Sequence, residues 1–301
     1  MGDPAGIGPE LCLELLRDEV MLANHELRVF GSAAVLEGLA GAAGPIRDEH
    51  LVDFGPVDDL VPGQVSAATG AASFRYLEAA IEAALNGEVR AIITCPIHKA
   101  ALAAAGIDFA GHTEILVDKT GSQSHAMMLT TPAITCSLVT THLALSDVPA
   151  HLTTGRIAEV IDLTAAAMST LHGRGARLAV LGLNPHAGEG GLFGDEESRI
   201  IQPAIDAARK GAIDVRGPLP PDTAFLPKTR REVDAYICMY HDQGLIPLKT
   251  LDFEHAVNVT LGLPFVRTSV GHGTALEIAG KGLASSDSLY AAVRLASRLL
   301  K

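Results

Sequence analysis

Short apolar runs alternate with longer stretches of helical spacing along the whole chain. Residues 27–30, 91–94, 125–129, 134–140, 178–183, 235–239, 257–261 and 266–270 read as strands, each a brief apolar run bounded by turn or polar residues. Residues 67–85, 153–171, 196–209 and 287–300 repeat their apolar positions three and four apart and read as helices. Asn86-Gly87 stops the first of these, and Ser286 or Asp287 is placed to cap the last. Ser32 is placed to cap a helix after the first strand, and Thr131-Pro132 makes a turn between two strands. Pro218-Leu-Pro-Pro221 reads as a stiff loop leading to Asp222. Strand and helix in alternation predict an α/β fold with a largely parallel sheet. The chain shows no internal repeat, low-complexity tract or long flexible linker, so a second domain must be tightly integrated with the first.

A length of 301 residues suits one large domain or two halves flanking a cleft. Hydrophobic residues make up 48% of the chain, but only 4% are aromatic and Trp is absent, so the core must be built from Ala, Leu, Ile and Val. The net charge of −12 argues against nucleic acid or an anionic membrane as partner, since both need a basic surface. An anionic substrate would need cations gathered locally against that field. The four cysteines are scattered with no Cys-x-x-Cys pair, which predicts buried thiols in a reducing cytoplasm. No apolar run reaches the roughly 20 residues of a membrane span, and the first residues lack the basic and apolar regions of a signal peptide.

Three histidines follow apolar strand-like runs: Thr-Thr-His142, Asn-Pro-His186-Ala-Gly-Glu and Tyr-His241-Asp-Gln-Gly. Open α/β sheets place their chemistry outside the carboxyl ends of strands. Each histidine alone reads equally well as a loop or core residue. Three together predict a divalent-metal site with coordination positions left for substrate. Gly111-His112-Thr113-Glu114 stands at a helix start, where free N–H groups suit a phosphate oxygen, although an ordinary cap with a solvated His112 accounts for it too. The glycines around His186 suggest close approach by a ligand. Asp242 stands beside His241, with Lys249 eight residues after that histidine, and Arg267 offers a planar fork for carboxylate or phosphate. The first residues, Gly2-Asp-Pro-Ala-Gly-Ile-Gly-Pro-Glu10, form a tight loop that opens a helix. Neither the Gly-x-Gly-x-x-Gly fingerprint nor the phosphate-loop pattern occurs, so a nucleotide must be held by another scheme, for which the glycine-rich turn after Arg267 is a candidate.

Five motifs in order resemble the 4-hydroxythreonine-4-phosphate dehydrogenase family of pyridoxal phosphate biosynthesis: Gly-Asp-Pro-Ala-Gly-Ile-Gly-Pro-Glu, Gly-His-Thr-Glu, Asn-Pro-His-Ala-Gly-Glu, Tyr-His-Asp-Gln-Gly and Leu-Pro-Phe-x-Arg-Thr-Ser-x-x-His-Gly-Thr-Ala-Leu. The opening and closing motifs are more distantly similar to isopropylmalate and isocitrate dehydrogenases. The resemblance implies that fold, two α/β/α halves flanking a cleft, with residues 1–110 and 256–301 on the cofactor side and 111–255 carrying metal, substrate and dimer contacts. It implies a metal held by His142, His186 and His241, one of them from the partner chain of a homodimer. It implies substrate contacts from His112, Thr113, Lys249, Asn258 and Arg267, and NAD or NADP at His272, Gly273, Thr274 and Ala275. The sequence departs from the family at Gly271, where Asp is usual, at His98, where Asn is usual, and at Ala144, where Pro is usual. Family members also carry an apolar strand before the first motif, so Met1 is expected to be an internal residue of a longer protein or the start of a truncated one.

The reaction implied is oxidation of 4-phosphooxy-L-threonine to 2-amino-3-oxo-4-phosphooxybutanoate, then decarboxylation to 3-amino-2-oxopropyl phosphate. The divalent metal (Zn, Mg, Co or Mn) would stabilise the alkoxide. Lys249, Asp222 and Asp242 are candidates for proton transfer or for orienting the ligands. Two alternatives stand beside this reading. One is a paralogous dehydrogenase of a phosphorylated four-carbon sugar acid or a dihydrodiol. The other is a metallohydrolase in which the three histidines activate water.

Overall fold

The structure, a computed structural model, describes residues 1–40 and 48–301. Its strands are β1 (Val29–Gly31), β2 (Leu51–Asp53), β3 (Ala91–Thr94), β4 (Ala126–Thr130), β5 (Thr135–Leu138), β6 (Arg177–Leu181), β7 (Asp214–Leu219), β8 (Ala235–Cys238), β9 (Val257–Leu261) and β10 (Val266–Val270). The chain forms two compact units, Met1–Gln123 with Leu263–Leu300, and Ser124–Gly262. The sequence reading placed the exchanges at 110/111 and 255/256. The first falls later because the helix His112–Thr120 packs within the first unit. Its Ile115 and Leu116 are fully buried beside Leu77, Ile81 and Leu102, each contributing about 1.5–3 kcal/mol by burial. Lys119 also bonds Glu78 on the neighbouring helix.

In the first unit β1 pairs with β2 and β3 with β10, all parallel. The helix Gly8–Arg17 begins with Pro9 in its first turn and Glu10 near the positive end of its dipole, and buries Leu11 and Leu15. The helix Ala67–Leu85 opens with a reciprocal capping box between Ser66 and Thr69 and ends at Asn86, as its sequence predicts. Ser32 accepts from the Val35 amide, as expected of a cap. Ser286 does not cap the last helix, Asp287–Leu299; its hydroxyl is drawn away to Glu14, and Ser285 accepts from the Asp287 amide instead. The Met1 amine donates to the Phe30 carbonyl and the Asp3 amide to that of Pro96. The first residues therefore run between β1 and β3, where both strands line a cavity of about 340 Å³.

In the second unit the strands lie in the order β9-β4-β5-β8-β6-β7. Pairings β5-β8, β8-β6 and β6-β7 are parallel, and β4 runs antiparallel to both β5 and β9. The β4-β5 reversal is the tight turn at Thr131-Pro132, whose Thr131 hydroxyl accepts from the amides of Ala133 and Ile134. Pro218 is not in a loop: it sits in β7 after a cis peptide bond, and Pro221 opens the short helix Pro221–Ala224. Position in the sheet decides this, because β7 is an edge strand and a missing N–H costs nothing on its open side. The helix Thr154–His172 buries Ile157, Val160, Ile161, Thr164 and Met168 at spacings of three and four, one face of a 3.6-residue period. All four cysteines are buried and free.

Candidate functional site

The three histidines stand past the carboxyl ends of adjacent parallel strands in the second unit. His142 follows β5, His241 follows β8 and His186 follows β6, so sheet order puts the His241 segment in the middle. The sequence shows the strand ends; only the sheet shows that they are neighbours. The rings of His142 and His241 lie 5.6 Å apart between centroids, tilted 46° to each other. His241 begins the helix His241–Leu251, and its Nδ1–H donates to Asp242 Oδ1 at 2.7 Å. That bond fixes the tautomer and leaves Nε2 as the free donor atom.

His186 is not drawn to the other two. It is exposed, bonds Glu189 through Nδ1 and sets its ring edge-on to Phe193, 6.0 Å away. Among the described residues no group of three His, Cys, Asp or Glu side chains gathers closely enough to hold a metal. One chain thus brings together two of the three expected ligands. The His186 backbone, with Ala187 and Glu189, lies in the left-handed region at φ 52°, 52° and 44°, so the loop conformation is imposed by its surroundings rather than by local preference.

At Gly188 and Gly194 those surroundings are the chain's own side chains, whereas nothing among the described residues stands within 4 Å of a Cβ on Gly190 or Gly191. A Cβ on Gly188 would lie 2.7 Å from Glu197 Oε2, and one on Gly194 would lie 2.5 Å from Asn184 Nδ2. Glu197, only 6% exposed, accepts from the amides of Leu183 and Asn184 at 2.8 and 2.7 Å and from Asn184 Nδ2 at 3.0 Å. It opens a single π-helical turn, Glu197–Ile201, a feature frequent at functional sites. Gln243, buried to the same degree, accepts from the Met239 amide and donates to the Gly182 carbonyl, both at 2.7 Å. Sequence reasoning assigned no role to either residue. The available signal was a carboxylate at a helix start directly after a glycine-rich loop.

Of the remaining second-unit candidates, Lys249 lies exposed further along the helix His241–Leu251, 5.6 Å from the Phe253 ring centre. Asp222 is exposed on the helix Pro221–Ala224, and Asn258 sits half-buried on β9 with its Oδ1 enclosed and unpartnered.

The first unit gathers a different cluster. Arg267 on β10 is 2% exposed and donates through Nη2 to Thr94 Oγ1 at the end of β3, 2.7 Å away. Burial pulls its pKa down from 12.5 to about 10, opposed by Glu114. His112 is no solvated capping residue: burial first, then the Arg267 charge, drive its pKa well below 6.5, so it stands neutral at pH 7. Gly111 precedes the helix His112–Thr120 with no side-chain cap, so its first N–H groups are not taken by a capping side chain. A buried guanidinium beside a neutral imidazole and open helix amides suits an oxyanion.

In the same unit the turn after β10 closes on the first loop of the chain. The Ile7 amide donates to the Thr274 carbonyl at 3.0 Å, and a Cβ on Gly6 would lie 3.0 Å from that oxygen. Ala275 takes left-handed φ 43°, an unfavourable backbone for a residue with a Cβ. His272 bonds the Gly273 carbonyl through Nδ1, while its Nε2 is buried without a partner. Gly271, where Asp was expected, donates its amide to Ser288 Oγ.

Comparison with known proteins identifies the family. The pyridoxal phosphate biosynthetic protein PdxA family matches residues 14–296. The 4-hydroxythreonine-4-phosphate dehydrogenase of Desulfosudis oleivorans is 46% identical over 98% of this chain and 93% of its own length. The D-threonate 4-phosphate dehydrogenase of Salmonella typhimurium is 42% identical over 99% of this chain and 97% of its own. The crystal structure of 4-hydroxythreonine-4-phosphate dehydrogenase from Klebsiella pneumoniae superposes with a TM-score of 0.87 at 39% identity, covering 100% of this chain and 98% of that one. The fold is accordingly of the isocitrate/isopropylmalate dehydrogenase type. With its motifs, its fold and nearly its whole length matched, this chain belongs to the PdxA family of pyridoxal phosphate biosynthesis.

Proposed function

We propose that this protein is a nicotinamide-dependent oxidoreductase that oxidises the C3 alcohol of 4-phosphooxy-L-threonine, after which the β-keto acid loses CO2. The observation that carries the reading is the placement of His142, His241 and His186 after three neighbouring parallel strands, with the Asp242 bond leaving His241 Nε2 free. Of the candidate cations Zn, Mg, Co and Mn, imidazole donors of this kind suit Zn best. His142 and His241 would hold the cation from one chain. The separation of His186 supports a homodimer in which a second copy completes the set. A bound cation would lower the alcohol pKa, and a bound nicotinamide, NAD or NADP, would accept the hydride.

The chain's own groups then have distinct tasks. Arg267, His112 and the first amides of the helix His112–Thr120, with Thr113, hold an anionic group of the substrate. Neutral His112 can accept from a substrate hydroxyl or donate to an oxyanion without adding charge. Asn258, with its enclosed free oxygen, suits a substrate N–H or O–H donor. Lys249 is the candidate for proton transfer, with Asp222 as the alternative. Asp242 orients His241. His272 to Ala275, braced by the Ile7–Thr274 bond, hold the nicotinamide dinucleotide. The free buried cysteines are in keeping with a cytoplasmic enzyme.

D-threonate 4-phosphate is the second reading, because a relative named for it matches nearly as well as one named for the threonine phosphate. Reduced-nicotinamide absorbance with each substrate, NAD or NADP, and a divalent cation with or without chelator decides between them. Turnover of 4-phosphooxy-L-threonine abolished by chelator is expected. Hydrolysis without nucleotide reduction would overturn the dehydrogenase assignment.

A further inference from the structure

We propose that Glu197 and Gln243 are positioning residues that lock the three histidine-bearing segments into one register through their backbone amides and carbonyls. The proposal rests on the metal reading above and adds the groups that set the site's geometry. The side-chain amide of Gln243 joins two strand ends: Oε1 accepts from Met239, two residues before His241, and Nε2 donates to the carbonyl of Gly182, four before His186. Thr140, two residues before His142, donates through Oγ1 to the Met239 carbonyl at 2.7 Å. Glu197 then grips the amides of Leu183 and Asn184, the next links toward His186. The path Thr140, Met239, Gln243, Gly182 and Glu197 thus crosses all three segments without touching an imidazole.

Chemistry explains the residue types. The Gln243 position must donate and accept at once while buried, which a primary amide does and a carboxylate or aliphatic side chain does not. The Glu197 position faces three donors and no acceptor, which suits a carboxylate at a helix N-terminus. Packing explains why neighbours cannot substitute. A Cβ on Gly182 would meet Ala187 at 2.8 Å and Glu197 Oε1 at 3.1 Å, so the loop closes directly over the carboxylate. The left-handed backbone of His186 and Ala187 is the conformation this grip enforces.

The test uses the full chain and Co²⁺, whose visible spectrum reports coordination geometry independently of turnover. Gln243→Leu should weaken Co²⁺ binding about 10- to 100-fold and alter the spectrum. Glu197→Gln keeps an accepting oxygen but sets an NH2 against Asn184 Nδ2, and should weaken binding less than Glu197→Ala. In metal-free protein, hydrogen exchange should quicken at the Met239 amide in Gln243→Leu and at Leu183 and Asn184 in Glu197→Ala, with the remaining core amides unchanged. If the parent binds Co²⁺ in a His241-dependent way and Gln243→Leu and Glu197→Ala bind it with the same affinity and spectrum, the positioning role is wrong and the metal reading stands. If the parent binds no Co²⁺, the metal reading fails and this inference with it. If Gln243→Leu does not fold, the two Glu197 variants decide.

Discussion

Replacing Arg267 by Met separates a ligand-binding role from a structural one. The guanidinium is 2% exposed, and its fall from 12.5 to about 10 means that the fold disfavours the charged form by roughly 3 kcal/mol. Met fills similar volume without that penalty and loses the charge-assisted Thr94 hydrogen bond, worth about 1.5–3 kcal/mol, which at most offsets the gain. The ligand-free variant should therefore unfold in urea at a midpoint equal to or above the parent's, as buried charges replaced by apolar residues often do. Binding should move the other way. Losing a charge-assisted hydrogen bond costs about 1.5–3 kcal/mol, so KM for the phosphorylated substrate should rise roughly 10- to 150-fold. KM for the nicotinamide cofactor should stay unchanged. Arg267→Lys should fall between, since an ammonium keeps the charge but not the planar fork. Steady-state kinetics beside urea unfolding reads both quantities. A large drop in midpoint with substrate KM unaltered, or equal rises in both Michaelis constants, would refute the reasoning and make Arg267 a structural residue.

Asp234 provides a stability test away from the histidines, because it pairs with Arg177 at the start of β6 and with Arg174 before it. Burial raises its pKa, but the bonds from both arginines and the Arg177 amide outweigh this and hold it well below the ordinary carboxylate range. Its contribution is therefore complete above the unfolded pKa of about 3.9 and is lost as pH falls below that value. The arginines are 44% and 39% exposed, so Asp234→Ala should cost only about 2–4 kcal/mol at neutral pH in urea unfolding, with the gap to the parent closing in acid. Co²⁺ affinity should be unaffected; a loss like that of a histidine variant would contradict the separation. Replacing His142, His186 or His241 by Ala should abolish turnover and lower bound metal while the unfolding midpoint holds, since His142 and His186 are exposed and His241 is only half-buried. Full metal occupancy in two of the three variants would remove them as ligands. Mixing inactive His186→Ala and His241→Ala chains should restore part of the activity through hybrid dimers; no recovery after verified subunit exchange would place every ligand on one chain.

Local pattern alone determined several elements of this protein. The helix Ala67–Leu85 was legible to the residue, because its apolar spacing and the Asn86-Gly87 stop are local signals, while the Ser66–Thr69 box that opens it emerged only in the structure. The strands Ala91–Thr94, Val257–Leu261 and Val266–Val270 were equally legible, since short apolar runs between turn residues suit strands buried in a parallel or mixed sheet. The motifs around His112, His142, His186, His241 and Arg267 were also visible, as were the strand ends that carry the three histidines. Tertiary structure decided what depends on neighbours remote in sequence. Pro218 became part of a strand because β7 is an edge. The helix at His112 joined the first unit because Ile115 and Leu116 found their partners there. Sheet order set the segment of His241 between those of His142 and His186, and packing kept His186 apart from the other two imidazoles. Gly188 and Gly194 looked like room for a ligand until the fold filled it with Glu197 and Asn184, and Gln243 looked like one letter of a motif until its amide was seen to join two strand ends. A buried hydrogen bond takes its meaning from both partners, and when 61 residues separate them, as they do Gly182 and Gln243, only the folded chain names the second.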